Sequence, residues 1–237
     1  IAHSRRENDF PNCMEPVALS RGASLVKRYP PTLLCRDKDE VAQATAEDLR
    51  KCLADKPDAL LCLPAGGSAV ETFALLVEWG QKGEIDFSKA RFVQLDEWVG
   101  LPEGVENCGD YMDKHFYGPA GIDPARLCKM QPEANLELEC ARVDAYIRQH
   151  GPIDWMLLGV GMNGHLALNE PGVSWYQYTT VVELDNVTKE VGQKYFSQPV
   201  SLTGGLTLGM KHVFEARRVV LQVSGRHKSD IVAAIYD

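Results

Sequence analysis

The stretch DWMLLGVGMNGHLALNEPG, residues 154–172, decides how this chain is built. It opens on a short run, Asp154 to Leu158, that is apolar from Trp155 onward, the mark of a strand buried on both faces. Gly159, Gly161 and Gly164 then punctuate a turn that carries His165, and Glu170 follows it. Glycines at the end of a strand let backbone and imidazole come close to a ligand. An imidazole so placed can act as acid or base near neutral pH. Taken alone, the stretch is equally a strand-to-loop turn with one satisfied histidine.

Outward from this run, strands and helices alternate. Residues 39–53 carry a helical apolar stripe at Val41, Ala42, Ala46, Leu49, Cys52 and Leu53, with Asp37 or Asp39 as cap and Pro57-Asp58 as stop. Ala59 to Leu63 is a short apolar strand, and a helix runs from Ser68 to about Gln81. Arg91 to Leu95 is a strand with Asp96 at its carboxyl end. Helices are expected over 108–116 and 136–149, a β-branched strand over 178–184, and a helix from about Asn186 to Phe196. Val219 to Val223 is a strand, and a helix begins at Lys228. This order predicts an α/β fold, doubly wound, with a mainly parallel sheet and helices on both faces, a Rossmann-like three-layer α/β/α arrangement. Ligands then bind outside the carboxyl ends of the strands.

Composition bounds the function. The 237 residues suffice for one large α/β domain, with 45% hydrophobic and 24% charged residues, and a net charge of −8 argues against a nucleic-acid groove. The seven cysteines are odd in number and form neither C-x-x-C nor zinc spacing with histidine, which fits a reducing cytoplasm and a site without metal. No apolar run is long enough for a membrane span or a signal peptide. Residues 1–13 are polar and unpatterned, and are expected to be a disordered tail or a cloning remnant ahead of a natural start at Met14.

Three further motifs carry chemistry. Gly66, Gly67 and Ser68 stand between a strand and a helix, where bare N–H groups and the positive helix end cradle an anion; a plain tight turn with a serine cap has the same wording. Asp96-Glu97 end a buried strand, where desolvation raises a carboxylate's pKa and strengthens it as a base toward a carbon acid. Lys228, in Gly225-Arg226-His227-Lys228, enters a helix after a strand, where its cation can meet a phosphate. The G-x-G-x-x-G at 159–164 imitates a dinucleotide fingerprint, yet Pro171-Gly172 break the chain before a crossover helix. A P-loop and a G-x-S-x-G nucleophile elbow are both absent.

Together, PAGGS (64–68), LDEWVGLP (95–102), GVGMNGHLALNEPG (159–172), TGGLTLG (203–209) and SGRHK (224–228) resemble the glucosamine-6-phosphate deaminase family and its galactosamine-6-phosphate isomerase/deaminase relatives. The likeness runs from about residue 40 to the C-terminus. Trp98 and the Asn-Gly-His-Leu wording point to the galactosamine branch. The related 6-phosphogluconolactonases share the fold but not the acidic motif or the Asn-Glu-Pro ending at 169–171. The resemblance implies isomerising deamination of a 2-amino-2-deoxyhexose 6-phosphate to the ketose 6-phosphate and ammonia, with no metal or organic cofactor. By the same likeness His165 transfers a proton at the ring oxygen and Asp96 moves the C2 proton to C1. Glu170 orients and charges the histidine, Asn163 accepts its N–H, and Gly66, Gly67, Ser68, Lys194 and Lys228 hold the phosphate.

Departures from the family pattern are few. Asn163 replaces an aspartate of the glucosamine branch, Lys194 a phosphate-binding arginine, and Thr180 and Val182 the basic residues that hold an allosteric effector's phosphate. Residues 14–237 are expected to form a single isomerase/deaminase domain that stops short of the family's final strand and helix. Its partner is a small amino-hexose phosphate, with no nucleic acid or membrane, and a homo-oligomer stays open. The rival readings are a phosphosugar lactonase and a sugar-phosphate-binding protein with a weakened acid relay.

Overall fold

The computed structural model describes residues 30–236. The expectations for residues 1–13 and for a start at Met14 fall outside them. The strands are β1 (Leu60–Leu63), β2 (Arg91–Gln94), β3 (Asp96–Val99), β4 (Leu127–Cys128), β5 (Trp155–Leu158), β6 (Thr180–Glu183), β7 (Gly204–Thr207) and β8 (Val219–Leu221). The helices are α1 (Lys38–Asp55), α2 (Val70–Gln81), α3 (Cys108–Met112), α4 (Leu136–His150), α5 (Asn186–Gly192), α6 (Met210–Glu215) and α7 (Ser229–Ala234).

Five strands form one sheet in the order β4-β2-β1-β5-β8, every pair of it parallel. Side chains alternate across a strand, and here both faces are dry. Leu61, Leu63, Phe92, Trp155 and Leu157 pack with Leu49 of α1 and Phe73 and Leu76 of α2. Leu60, Cys62, Val93, Met156 and Leu158 pack on the other face with Val143 and Ile147 of α4 and Val213 of α6. Helices therefore cover both faces, as the apolar runs predict. Truncating Phe73, Phe92 or Trp155 to alanine would cost about 3–5 kcal/mol, since each is under 2% exposed. Among the described residues no helix is long and apolar enough to cross a membrane.

A second sheet departs from the reading of the sequence. The order β3-β7-β6 is antiparallel throughout. The β-branched segment expected over 178–184 is β6, in this small sheet and not in the parallel one. Strand β7 went unread because Gly204 and Gly205 have little strand propensity. Gly205 is required by close approach: a Cβ there would lie 2.3 Å from Leu168 Cδ1.

Several boundaries also shift. Asp37, not Asp39, caps α1, accepting the Glu40 N–H at 2.9 Å. The helix expected over 108–116 is α3 followed by a π-helical turn at 113–117. The one expected to reach Phe196 is α5 plus a 3₁₀ turn at 193–195, and a 3₁₀ turn at 226–228 precedes α7. The sequence reading missed α6 and the two-residue β4.

Candidate active site

Four parallel strands deliver the expected residues to one place. The cradle 66–68 follows β1, Asp96 follows β2, His165 follows β5, and Lys228 follows β8. They line a cavity of about 690 Å³ together with Lys194, Trp98, Tyr111 and Tyr195.

The cradle is a sharp turn. Gly66 has φ 147°, a conformation an L side chain rarely adopts, and the chain then enters a 3₁₀ turn at 67–69 leading into α2. The first N–H groups of such a turn have no helical acceptor and point outward. Gln222, just after β8, pins the turn: its amide donates to the Ser68 carbonyl at 2.6 Å, and its oxygen accepts from the Thr72 hydroxyl at 3.0 Å. The Lys228 ammonium donates to the Val160 carbonyl at 2.6 Å. Burial, then the Lys194 cation, lower its pKa. Two cations thus converge beside the cradle, with Lys194 also 5.0 Å from the Tyr195 ring centroid.

The acid pair divides by strand alternation. Glu97 is 1% exposed, and its carboxylate accepts the N–H groups of Trp98 at 2.8 Å, Cys108 at 2.9 Å and Gly109 at 2.8 Å, and the Gln94 amide at 2.8 Å. Burial raises its pKa against the pull of these donors. Asp96 faces the cavity, and among the described residues its carboxylate has no hydrogen-bond partner. Burial first, and the Glu97 anion second, push its pKa up to about 7. An ionisable carboxylate without donors, titrating near neutrality, is suited to accept a carbon-bound proton.

The glycine turn fixes His165. A Cβ on Gly161 would lie 2.4 Å from the imidazole, so the ring rests directly on this backbone, and the Gly161 N–H donates to the His165 carbonyl at 2.8 Å. Imidazole Nδ1 lies 3.1 Å from Thr188 Oγ1 and 3.6 Å from Glu170 Oε2. Nε2 has no protein partner among the described residues. Burial lowers the pKa of His165; the Glu170 anion opposes this and the Lys228 cation adds to it.

Two expectations need correction. Asn163 does not accept the imidazole N–H: its oxygen accepts the His165 backbone N–H at 3.2 Å, and its amide donates to Glu170 Oε2 at 2.7 Å. An aspartate's role cannot pass to Asn163 here, because the side chain is turned to the backbone and to Glu170. Glu170, 9% exposed, stands behind the cavity wall, with Oε1 accepting the Asp185 N–H at 3.0 Å. At 3.6 Å it influences the ring by charge, while the hydrogen bond to Nδ1 belongs to Thr188. The sequence reading missed Thr188, Gln222 and Tyr195. Tyr195 follows Lys194, and its pKa is pushed up to about 12 by burial and then by Asp96.

Comparison with known proteins accords with this geometry. Residues 36–237 match the family model described as glucosamine-6-phosphate isomerases/6-phosphogluconolactonase. A protein of Escherichia coli (strain K12), AgaI, named as a candidate deaminase, is 36% identical over 222 residues, covering 92% of this chain and 88% of its own. Glucosamine-6-phosphate deaminase 1 of Bacillus subtilis (strain 168) is 32% identical over 206 residues, covering 86% and 85%. A solved monomeric glucosamine-6-phosphate deaminase superposes with a TM-score of 0.81 at 31% identity, over 85% of each chain. The 6-phosphogluconolactonase of Thermotoga maritima shares the fold, with a TM-score of 0.66 at 14% identity over 83% of this chain and 85% of that one. The chain belongs to the glucosamine-6-phosphate isomerase/6-phosphogluconolactonase family.

Proposed function

We propose that this protein converts a 2-amino-2-deoxyhexose 6-phosphate into the ketose 6-phosphate and ammonia. The observation that carries the reading is Asp96: a carboxylate with no hydrogen-bond partner among the described residues, its pKa pushed up to about 7, in the same cavity as an anion cradle flanked by two lysines. Lactone hydrolysis moves no carbon-bound proton and would use a base only to activate water, whereas the isomerisation requires one at C2. The deaminase names of the relatives at 32% and 36% identity support the same chemistry.

The phosphate sits against the N–H groups at 66–68 and the ammonium groups of Lys194 and Lys228. The His165 imidazole takes the proton of the anomeric hydroxyl and returns it to the ring oxygen as the C1–O bond breaks, giving the open aldehyde. Asp96 then removes the C2 proton to form an enolic intermediate and delivers it to C1, leaving a ketimine at C2. Water adds to that carbon, ammonia departs, and the ketose 6-phosphate remains. Glu97 keeps the base in place: its four hydrogen bonds tie β3 to the start of α3 and to Gln94, whose amide also donates to the Asp96 carbonyl at 2.9 Å.

The test is a parallel assay of glucosamine 6-phosphate, galactosamine 6-phosphate and 6-phosphogluconolactone, with product identity read by NMR. Ammonia and ketose 6-phosphate from at least one amino sugar are expected, and the faster epimer assigns the C4 preference. Lactone hydrolysis without ammonia release would replace the proposal with its rival.

A further inference from the structure

We infer that Thr188 is a positioning residue for His165, its hydroxyl holding Nδ1 so that the ring keeps one orientation while Nε2 exchanges a proton with substrate. The inference rests on the proposed role of His165 in ring opening. Its basis is geometric. Nδ1 lies 3.1 Å from Thr188 Oγ1, whereas the nearer Glu170 oxygen is 3.6 Å away, beyond hydrogen-bond reach. Both Glu170 oxygens are already engaged, Oε1 by the Asp185 N–H and Oε2 by the Asn163 amide. Thr188 is 4% exposed, and among the described residues its hydroxyl has no partner other than Nδ1. A buried hydroxyl whose one partner among the described residues is a part-buried ring nitrogen needs that contact to stay satisfied.

A hydroxyl is chemically apt for this place. It accepts from Nδ1–H when Nε2 takes and returns the substrate's proton, and it donates to a bare Nδ1 when the resting ring carries its proton on Nε2. A carboxylate serves only the first state. Glu170 stands just behind, close enough to stabilise the imidazolium by charge without fixing the ring in that form. The contact also anchors α5. Asp185, the helix cap, and Thr188, one turn on, share a face and bind Glu170 and His165 respectively. The same segment leads on to Lys194 and Tyr195 on the cavity wall.

The experiment compares wild type, Thr188→Val and Thr188→Ser by steady-state kinetics, thermal melting and ¹⁵N NMR of the histidine ring. Valine keeps the shape and removes the hydroxyl, so kcat should fall about ten-fold or more with little change in KM, and the Nδ1 resonance of His165 should move. Serine should restore both. Wild-type kcat and an unmoved Nδ1 resonance in the valine variant would overturn the inference. So would equal losses in both variants that follow the melting temperature. The NMR arm needs no turnover, so it judges Thr188 even if the wild type releases no ammonia.

Discussion

Replacing Asp96 by asparagine should stabilise the fold, with a pH dependence set by the displaced titration of this carboxyl. The group titrates at about 7 in the folded chain against 3.8 for the unperturbed side chain. Below pH 3.8 both states hold the proton and the residue costs nothing. Between 3.8 and about 7 the folded state binds the extra proton, so stability falls as pH rises. Above about 7 both states are ionised and the full penalty applies. At about 1.4 kcal/mol per pH unit the interval amounts to about 4 kcal/mol. The residue is partly exposed in an open cavity, and solvent screening reduces the expected figure to roughly 2 kcal/mol. For a chain of this size that is about 4–8 °C in Tm at pH 8. Urea denaturation of wild type and Asp96→Asn at pH 4.5 and pH 8 is the assay. The variant should be the more stable at pH 8, and the gap should shrink severalfold at pH 4.5. A gap that is missing at pH 8, or equal at the two pH values, would refute the reasoning, since Asp96 would then titrate as an ordinary surface acid.

Further outcomes follow from the same geometry. Ser68→Asp sets an anion against the phosphate at the cradle and should weaken binding of a substrate analogue by about 100-fold or more; unchanged affinity by calorimetry would place the phosphate elsewhere. Glu97→Gln gives four converging N–H donors only one acceptor atom, and should cost about 3 kcal/mol in urea denaturation; a wild-type midpoint would show that these bonds do not form. N-acetylglucosamine 6-phosphate should leave the substrate saturation curve where it is, because Thr180 and Val182 present no cation to its phosphate and so no differential affinity between states. A clear leftward shift of that curve would count against the reasoning.

Strands β1 and β5 were legible because each is a short, wholly apolar run leading to a glycine turn, and α1 because it carries an apolar stripe and an aspartate cap; β4, two residues long, was not. The antiparallel sheet was not: Leu95 alone separates β2 from β3, so one continuous extended segment hides a change of sheet, and the paired glycines of β7 conceal a strand. The candidate site was legible wherever backbone geometry and chemistry share a motif, as at Gly66 to Ser68, Asp96 and His165. Alternation along β3 was the available signal that Asp96 and Glu97 point opposite ways. Thr188 and Gln222 left no such signal. Each is an ordinary polar residue whose partner lies far along the chain, His165 for the first, Ser68 and Thr72 for the second. Asn163 was misplaced because the family resemblance carries over an acceptor at that position but not whether the ring or the backbone is its partner in this chain.

The most direct measurement of the central claim is ammonia release by wild type and Asp96→Asn from the same amino-hexose 6-phosphate, with phosphosugar binding confirmed for both. The account predicts ammonia and ketose 6-phosphate in equal amounts from the wild type, and none above background from a variant that still binds. Near wild-type ammonia release by Asp96→Asn would contradict it and remove this carboxylate from the mechanism.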